Sequence, residues 1–478
     1  MASKKSLNAK NLEALGARHL SELLIDLTKG NAEAKRRLRL ELAGTLGSDE
    51  VAKEVRKRLA SIARSSSFVD WDKVNAMVKD LELQHTAIVT HVAKDSPEQA
   101  LELLWRFMGL TASVIERCDD SNGGVIDVFH FACEDLGKVA LAAGMEPVAL
   151  ADQVFQAFTE NDYGQYDYLI EGMTPALGDE GIEHLKSRFV ALSNEPVQKR
   201  RGKDREVIGY GSSGPIYADD YTAQRREMTV QLALQAIADA QGDVDAYIAQ
   251  QSDKARTVPA VAADIGSRLL AAGRLEEALV AVDAANLERQ GWVPVEWEKV
   301  RTGILDALGR TEEAQKFRWT CFEASLDDEH LRAYLKRLPD FEDMEAEERA
   351  MAHVLDYQSF HTALGFLINW PALKLASQLV LTRSDELDGN HYGLLNPAAT
   401  ALEGKYPLAA TLLRRAMIDF TLGKARSTRY RHVARHLLEC QGLVSGIEDF
   451  GGYETHDGYV ERLQAKHGRK SSFWSLFD

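Results

Sequence analysis

Apolar positions recur along this chain at intervals of three and four, the spacing that places them on one face of a helix. In DEVAKEVRKRLASIA, Val51, Val55, Leu59 and Ile62 share a face, and Ser48 stands where a helix cap belongs. Leu38, Leu42 and Leu46 follow the same rule after Asn31. Ser96, Pro97 and Glu98 supply cap, first-turn proline and early acid for QALELLWRFMGL. The pattern predicts further helices over about 122–143, 147–160, 180–193, 218–240 and 244–251. The apolar stretch 360–381 is broken by Asn369, Pro371 and Lys374, so it reads as two buried helices joined by a turn and not as a membrane span. CDDSNGG (118–124) lacks calcium-loop spacing and reads as a helix–helix turn capped by Ser121 or Asn122.

No run of alternating strand residues stands out. The best non-helical candidate is Val207–Tyr217 (VIGYGSSGPIY), which follows the charged stretch KRRGKDRE. Its glycines have neither a following GK[ST] nor a strand-then-helix setting to cradle phosphate. Residues 194–217 are therefore expected to be a linker or exposed loop between an N-terminal helical domain (1–193) and a C-terminal helical-repeat domain (218–478).

The second half repeats. LLAAGRLEEA (269–278) returns as LDALGRTEEA (305–314), with a weaker third copy in ALEGKYPLAA (401–410). Each reads as a helix ending in small and apolar residues, a glycine turn at Gly273, Gly309 or Gly404, and a new helix starting with acids. These segments resemble tetratricopeptide-like repeats, without the regular aromatic and proline positions of that motif. The segment KYPLAATLLRRAMIDFTLGKARSTRYRHVARHLLEC (405–440), with NLEALG near the start, resembles an uncharacterised bacterial family of helical proteins. It is similar also to the helical part of SWIM-type zinc-finger proteins, but the CxC…CxH element is absent, so no metal or nucleic-acid association follows. The expected fold class is all-α: an α-solenoid of stacked helical hairpins, as one array or two halves.

Composition agrees with helix: 34 glycines and 11 prolines are few for 478 residues. A net charge of −16 makes the whole molecule a poor partner for nucleic acid or an anionic membrane. Four dispersed cysteines suggest reduced thiols, and MASKKSLNAK has no apolar signal region, so a cytoplasmic location is expected. The charge is uneven. Residues 269–357 hold 11 basic and 20 acidic side chains, whereas 405–435 hold eight cations (Lys405, Arg414, Arg415, Lys424, Arg426, Arg429, Arg431, Arg435) against Asp419 alone.

The most suggestive constellation lies on the helix expected over 424–441. His432, His436 and Cys440 fall on one stripe, apart from a buried face of Tyr430, Val433, Ala434, Leu437 and Leu438. The three span about 12 Å, too far for one tetrahedral ion, so no metal or other cofactor is assigned. Lys424, Arg426, Arg429, Arg431, His432, Arg435 and His436 are the candidate partner-binding residues; an ordinary solvated face is the plainer reading. Tyr406 and Tyr430 could stack on bases. A second cluster (Lys35, Arg36, Arg37, Arg39, Lys53, Arg56, Lys57, Arg58) reads as side chains snorkelling beside a leucine stripe. His391 and Tyr392 stand in the irregular stretch DGNHYGLLNP (388–397).

HExxH, GxSxG and a Walker lysine are absent. Three functional readings remain: a non-enzymatic protein-interaction scaffold, with self-association as one form; a nucleic-acid binder using 405–435; and a hydrolase or metal enzyme centred on His432 and His436.

Overall fold

A computed structural model describes residues 7–196, 205–212, 214–287 and 293–477. The chain forms two compact units, Met1–Ala255 and Arg256–Asp478. Both are helical, and among the described residues the strands are two short ones in the first unit. Among the described residues no helix is long and apolar enough to cross a membrane.

In the first unit, helices Ala32–Leu46, Ser48–Ala63, Trp71–Ala87, Pro97–Met108, Gly124–Ala143, Pro147–Thr159, Leu169–Asn194 and Ala218–Gln241 each pack on near neighbours in sequence. Val51, Val55, Leu59 and Ile62 are buried, as their spacing predicts. The leucine stripe before them is not: Leu42 and Leu46 are 65% and 76% exposed, and Leu40 and Ala43 take the inward positions. Neighbouring helices cover that side, and i, i+3 spacing serves it as well as i, i+4 does. The turn at 118–124 is held by Asp120, whose carboxylate accepts from the backbone N–H groups of Val125 (2.8 Å) and Ile126 (3.0 Å). Asp120 therefore does the work expected of Ser121 or Asn122, because a carboxylate reaches two orphan amides at once.

Val207–Gly211 and Gly214–Tyr217 form an antiparallel hairpin. Arg205 stacks over Tyr217, 3.8 Å from the ring centroid, and pairs with Asp219 at 2.7 Å. The second strand leads directly into helix Ala218–Gln241, so the glycines do not open a helix as a phosphate cradle would. The charged stretch before the hairpin lies largely outside the described residues. Helix Ala218–Gln241 packs along Leu169–Asn194, with Lys186 donating to Gln241 at 2.9 Å. For that reason the boundary between compact units falls at Ala255/Arg256 and not at the expected linker over 194–217.

The second unit carries the repeats. Pro259–Ala271 with Leu275–Asp283 and Val295–Ala307 with Thr311–Ser325 are successive hairpins. Gly273 and Gly309 have φ of +73° and +71°, and the next residue's N–H closes back on Leu269 and Leu305 at 2.9 and 3.0 Å. These are the left-handed helix ends that the repeated glycine predicts. Ala278 and Ala314 are fully buried at equivalent places. Gly404 differs: it is not among the residues with positive φ, and the turn closes through Tyr406 N–H to Leu402 O at 2.7 Å. Onward from Asp328–Leu335 and Glu342–Asp356, the helices Phe360–Asn369, Leu373–Thr382, Tyr392–Leu402, Pro407–Gly423 and Tyr430–Leu443 pack on the next and often the next but one. The two helices of a hairpin pack on each other and on the hairpin that follows, which is the packing order of an α-solenoid. The stretch 360–381 is two helices about a turn, as the interruptions predict.

Candidate partner-binding site

Helix Pro407–Gly423 ends at Lys424, a short turn follows, and helix Tyr430–Leu443 returns along it. Lys424, Arg426, Arg431, His432 and Arg435 are exposed, and Arg429 is half-buried. Among the described residues, Lys424, Arg431 and His432 have no acidic partner within ion-pair distance. Arg426 donates to the Asn390 side chain at 3.3 Å, and Arg429 lies over the Tyr392 ring at 5.7 Å. Arg435 reaches Glu439 at 3.5 Å. Six of the seven expected residues thus form one surface, five of them lysine or arginine.

His436 does not belong to that surface. It is fully buried, and so is Cys440, whereas Leu438 is 54% exposed. At 100° per residue His436 stands only about 60° from Val433, which is within the buried face and not opposite it. His436 Nδ1 is 2.9 Å from Glu439, and its Nε2 contacts the Tyr392 hydroxyl. Burial pushes the His436 pKa below the ordinary histidine value, despite the neighbouring Glu439. Burial also acts on Glu439, but the bonds from His436 and Arg414 outweigh it and keep the carboxyl below the usual range. Burial raises Tyr392. The chain therefore runs from a protonated phenol, donating to Nε2, through Nδ1–H to an ionised carboxylate. Both ring nitrogens are engaged and Tyr392 closes the open end. His432, facing solvent, does not share this arrangement, so the pair does not build the expected hydrolase or metal centre.

Two further residues leave the basic count. Arg414 and Arg415 are 3% and 5% exposed. Arg414 lies between Glu403 (2.5 Å) and Glu439 (2.9 Å). Arg415 donates to the carbonyls of Glu454 (2.8 Å) and Thr455 (3.3 Å) and sits over Tyr459. Tyr430 is buried edge-on against Phe473 and offers no open ring face for a base, while Tyr406 is half-buried against the core. The first-unit cluster behaves likewise in part. Arg36 and Arg58 converge on the buried Asp80, and with Lys35, Arg39 and Lys57 they line a cavity of about 330 Å³.

The profile of a family described as "Family of unknown function (DUF6880)" matches residues 2–476. The chain belongs to this family. No curated protein matches. Among solved structures, a "Circular tandem repeat protein with novel repeat topology and enhanced subunit contact surfaces" aligns over 97% of this chain and 93% of its own, at 13% identity and a TM-score of 0.15. At that score the superposition transfers neither residues nor shape, and the fold rests on the packing above. DUF6880 membership agrees with the resemblance seen over 405–440 and assigns no activity.

In this DUF6880 chain the stretch 388–397, expected to be irregular, is a loop only as far as His391 before helix Tyr392–Leu402 begins, and it adjoins the candidate site. Arg383 donates to the carbonyls of Leu355 and Tyr357 and pairs with Glu386 at 2.7 Å, which fixes the loop. Asn390 then meets Arg426, His391 stacks on His361 at 4.1 Å, and Tyr392 begins the helix that carries it to His436. The signal in the sequence was a histidine and a tyrosine outside any apolar period.

Four histidines of the second unit, His361, His436, His456 and His467, are each held below the ordinary histidine value chiefly by burial. Below about pH 6.5 the unfolded chain binds protons that the folded unit refuses, so stability falls as the pH drops through that value. Thermal melts at about pH 7.5 and about pH 5.5 should show the lower midpoint at the acid end, and His436→Gln should reduce the difference. Equal midpoints would contradict the burial of these rings.

Proposed function

We propose that this protein is a non-enzymatic helical-repeat interaction protein whose second unit binds an acidic protein segment through Lys424, Arg426, Arg429, Arg431, His432 and Arg435. The supporting observation is that these side chains gather at one helix–helix turn and the start of the next helix, where Lys424, Arg431 and His432 have no acidic partner among the described residues and Glu439, which Arg435 reaches, is shared with His436 and Arg414. Cations left without acidic partners attract anions and discriminate by charge pattern. A short acidic segment meets only this surface. A long polyanion also meets the rest of a chain of net charge −16, within a screening distance of about 8–10 Å. The buried Tyr430 further weakens the nucleic-acid reading, which needs stacking as well as charge.

Fluorescence anisotropy with a labelled polyglutamate peptide tests the proposal, with single- and double-stranded DNA and RNA of equal charge beside it. The triple variant Lys424→Glu, Arg431→Glu, Arg435→Glu should bind peptide at least about tenfold more weakly, and raised salt should weaken the native protein similarly. Unchanged peptide binding by the variant would reject this surface. Tighter binding to nucleic acid, with log affinity falling linearly in log salt, would replace the protein partner by nucleic acid.

A further inference from the structure

Three successive helices of the second unit bring together a carboxylate, a thiol and an imidazole. Glu298 comes from Val295–Ala307, Cys321 from Thr311–Ser325 and His330 from Asp328–Leu335. One donor atom from each lies within 4.8 Å of the other two. His330 Nε2 is 3.0 Å from Glu298 Oε2. Cys321 and His330 are each 4% exposed, and the Glu298 side chain is 12% exposed, which leaves one edge towards solvent.

From this geometry we infer a divalent transition-metal site, of zinc type, with Glu298, Cys321 and His330 as its three protein ligands and water from the open edge as the fourth. Zinc takes sulfur at about 2.3 Å and nitrogen or oxygen at about 2.0–2.2 Å, so tetrahedral donors stand roughly 3.3–3.8 Å apart. The three atoms therefore need only small shifts to surround an ion. Mixed sulfur, nitrogen and oxygen donors on separate helices suit zinc better than magnesium or calcium, which take oxygen alone. Charge points the same way. A dication balances one thiolate and one carboxylate, leaving a neutral buried site.

The plainer alternative is a hydrogen-bonded core triad, with the thiol and the imidazole both donating to Glu298. In that state burial and the adjacent carboxylate push the Cys321 thiol up to about 12, so it stays protonated. Ion binding removes that proton. The imidazole presents Nε2 as a lone pair and carries its proton on Nδ1. One proton is released per ion, and nothing is oxidised or reduced.

The experiment uses the full chain, stripped with chelator, dialysed and titrated with zinc and separately with cobalt(II). The expected result is one tightly bound equivalent, a thiolate-to-cobalt charge-transfer band, one proton released per ion, and a higher thermal midpoint with zinc. Cys321→Ser should abolish the charge-transfer band and weaken binding about 100-fold. Glu298→Gln, at the open edge, serves if Cys321→Ser fails to fold; it should weaken binding and keep the band. Binding of less than a stoichiometric ion, cobalt binding without the band, or unaltered binding by Cys321→Ser would each leave the hydrogen-bonded triad and overturn the metal site. None of these outcomes bears on the basic surface, which shares no residue with it.

Discussion

Replacing Gly137 with alanine should destabilise the first unit by about 3 kcal/mol or more. Helix Gly124–Ala143 crosses helix Leu169–Asn194 at this glycine. A Cβ there would lie 1.9 Å from the Gly172 carbonyl oxygen and 2.5 Å from its carbon. Both obstacles are backbone, so no side chain can rotate away; the two helices must separate, and the contacts along them open together. Alanine is the better helix former by about 1 kcal/mol, a gain too small to offset the clash. Gly303 makes the control. It lies inside Val295–Ala307, and its added Cβ would meet only Leu270 Cδ2 at an ordinary 3.6 Å. Gly303→Ala should therefore be neutral or slightly stabilising. Urea unfolding followed by circular dichroism separates the two variants, and a Gly137→Ala midpoint equal to that of the native chain would mean the helices do not approach this closely.

The same contrast shows what the sequence made legible. Gly273 and Gly309 could be read as left-handed helix ends because a repeated glycine between an alanine-rich end and an acidic start is a local instruction, completed within six residues. Gly137 could not, since what forbids its side chain is a carbonyl 35 residues later, on another helix. Helix placement follows the apolar period well, but the choice of inward face needs the neighbour: Leu42 and Leu46 lost their place to Leu40 and Ala43. The candidate site divides in the same way. Lys424, Arg426 and Arg431 stand on a surface because little surrounds a turn. Arg414 and Arg415 have the same side chain yet are internal, because Glu403, Glu439 and the carbonyls of Glu454 and Thr455 meet them from other elements. The grouping of Glu298, Cys321 and His330 lay unseen because no two of them share a helix face; it arises from the register of three stacked helices.

Loss of the Asp80 carboxylate is the second large effect expected. Asp80 is 4% exposed on helix Trp71–Ala87 and faces Arg36 Nε at 3.1 Å and Arg58 Nε at 2.9 Å, from the two preceding helices. Breaking a buried ion pair by removing one partner costs about 3–5 kcal/mol, mostly because the remaining charge is left uncompensated. The two arginines are 29% and 30% exposed, so water recovers part of this, and Asp80→Ala should cost about 2–4 kcal/mol. On the same cavity wall Lys35 and Arg39 add to the repulsion around the vacated position, whereas Lys57 is paired with Glu54 at 3.7 Å. Asp80→Asn, which keeps the volume and removes the charge, should lose most of the same stability. Arg58→Ala alone should cost less, because Arg36 still pairs with Asp80. The double variant Asp80→Ala, Arg58→Ala should then be more stable than the sum of the single losses predicts, by about 1 kcal/mol or more, because the second change removes one of the stranded charges. Strictly additive losses in urea unfolding would show that the carboxylate and the two guanidinium groups do not act as one unit.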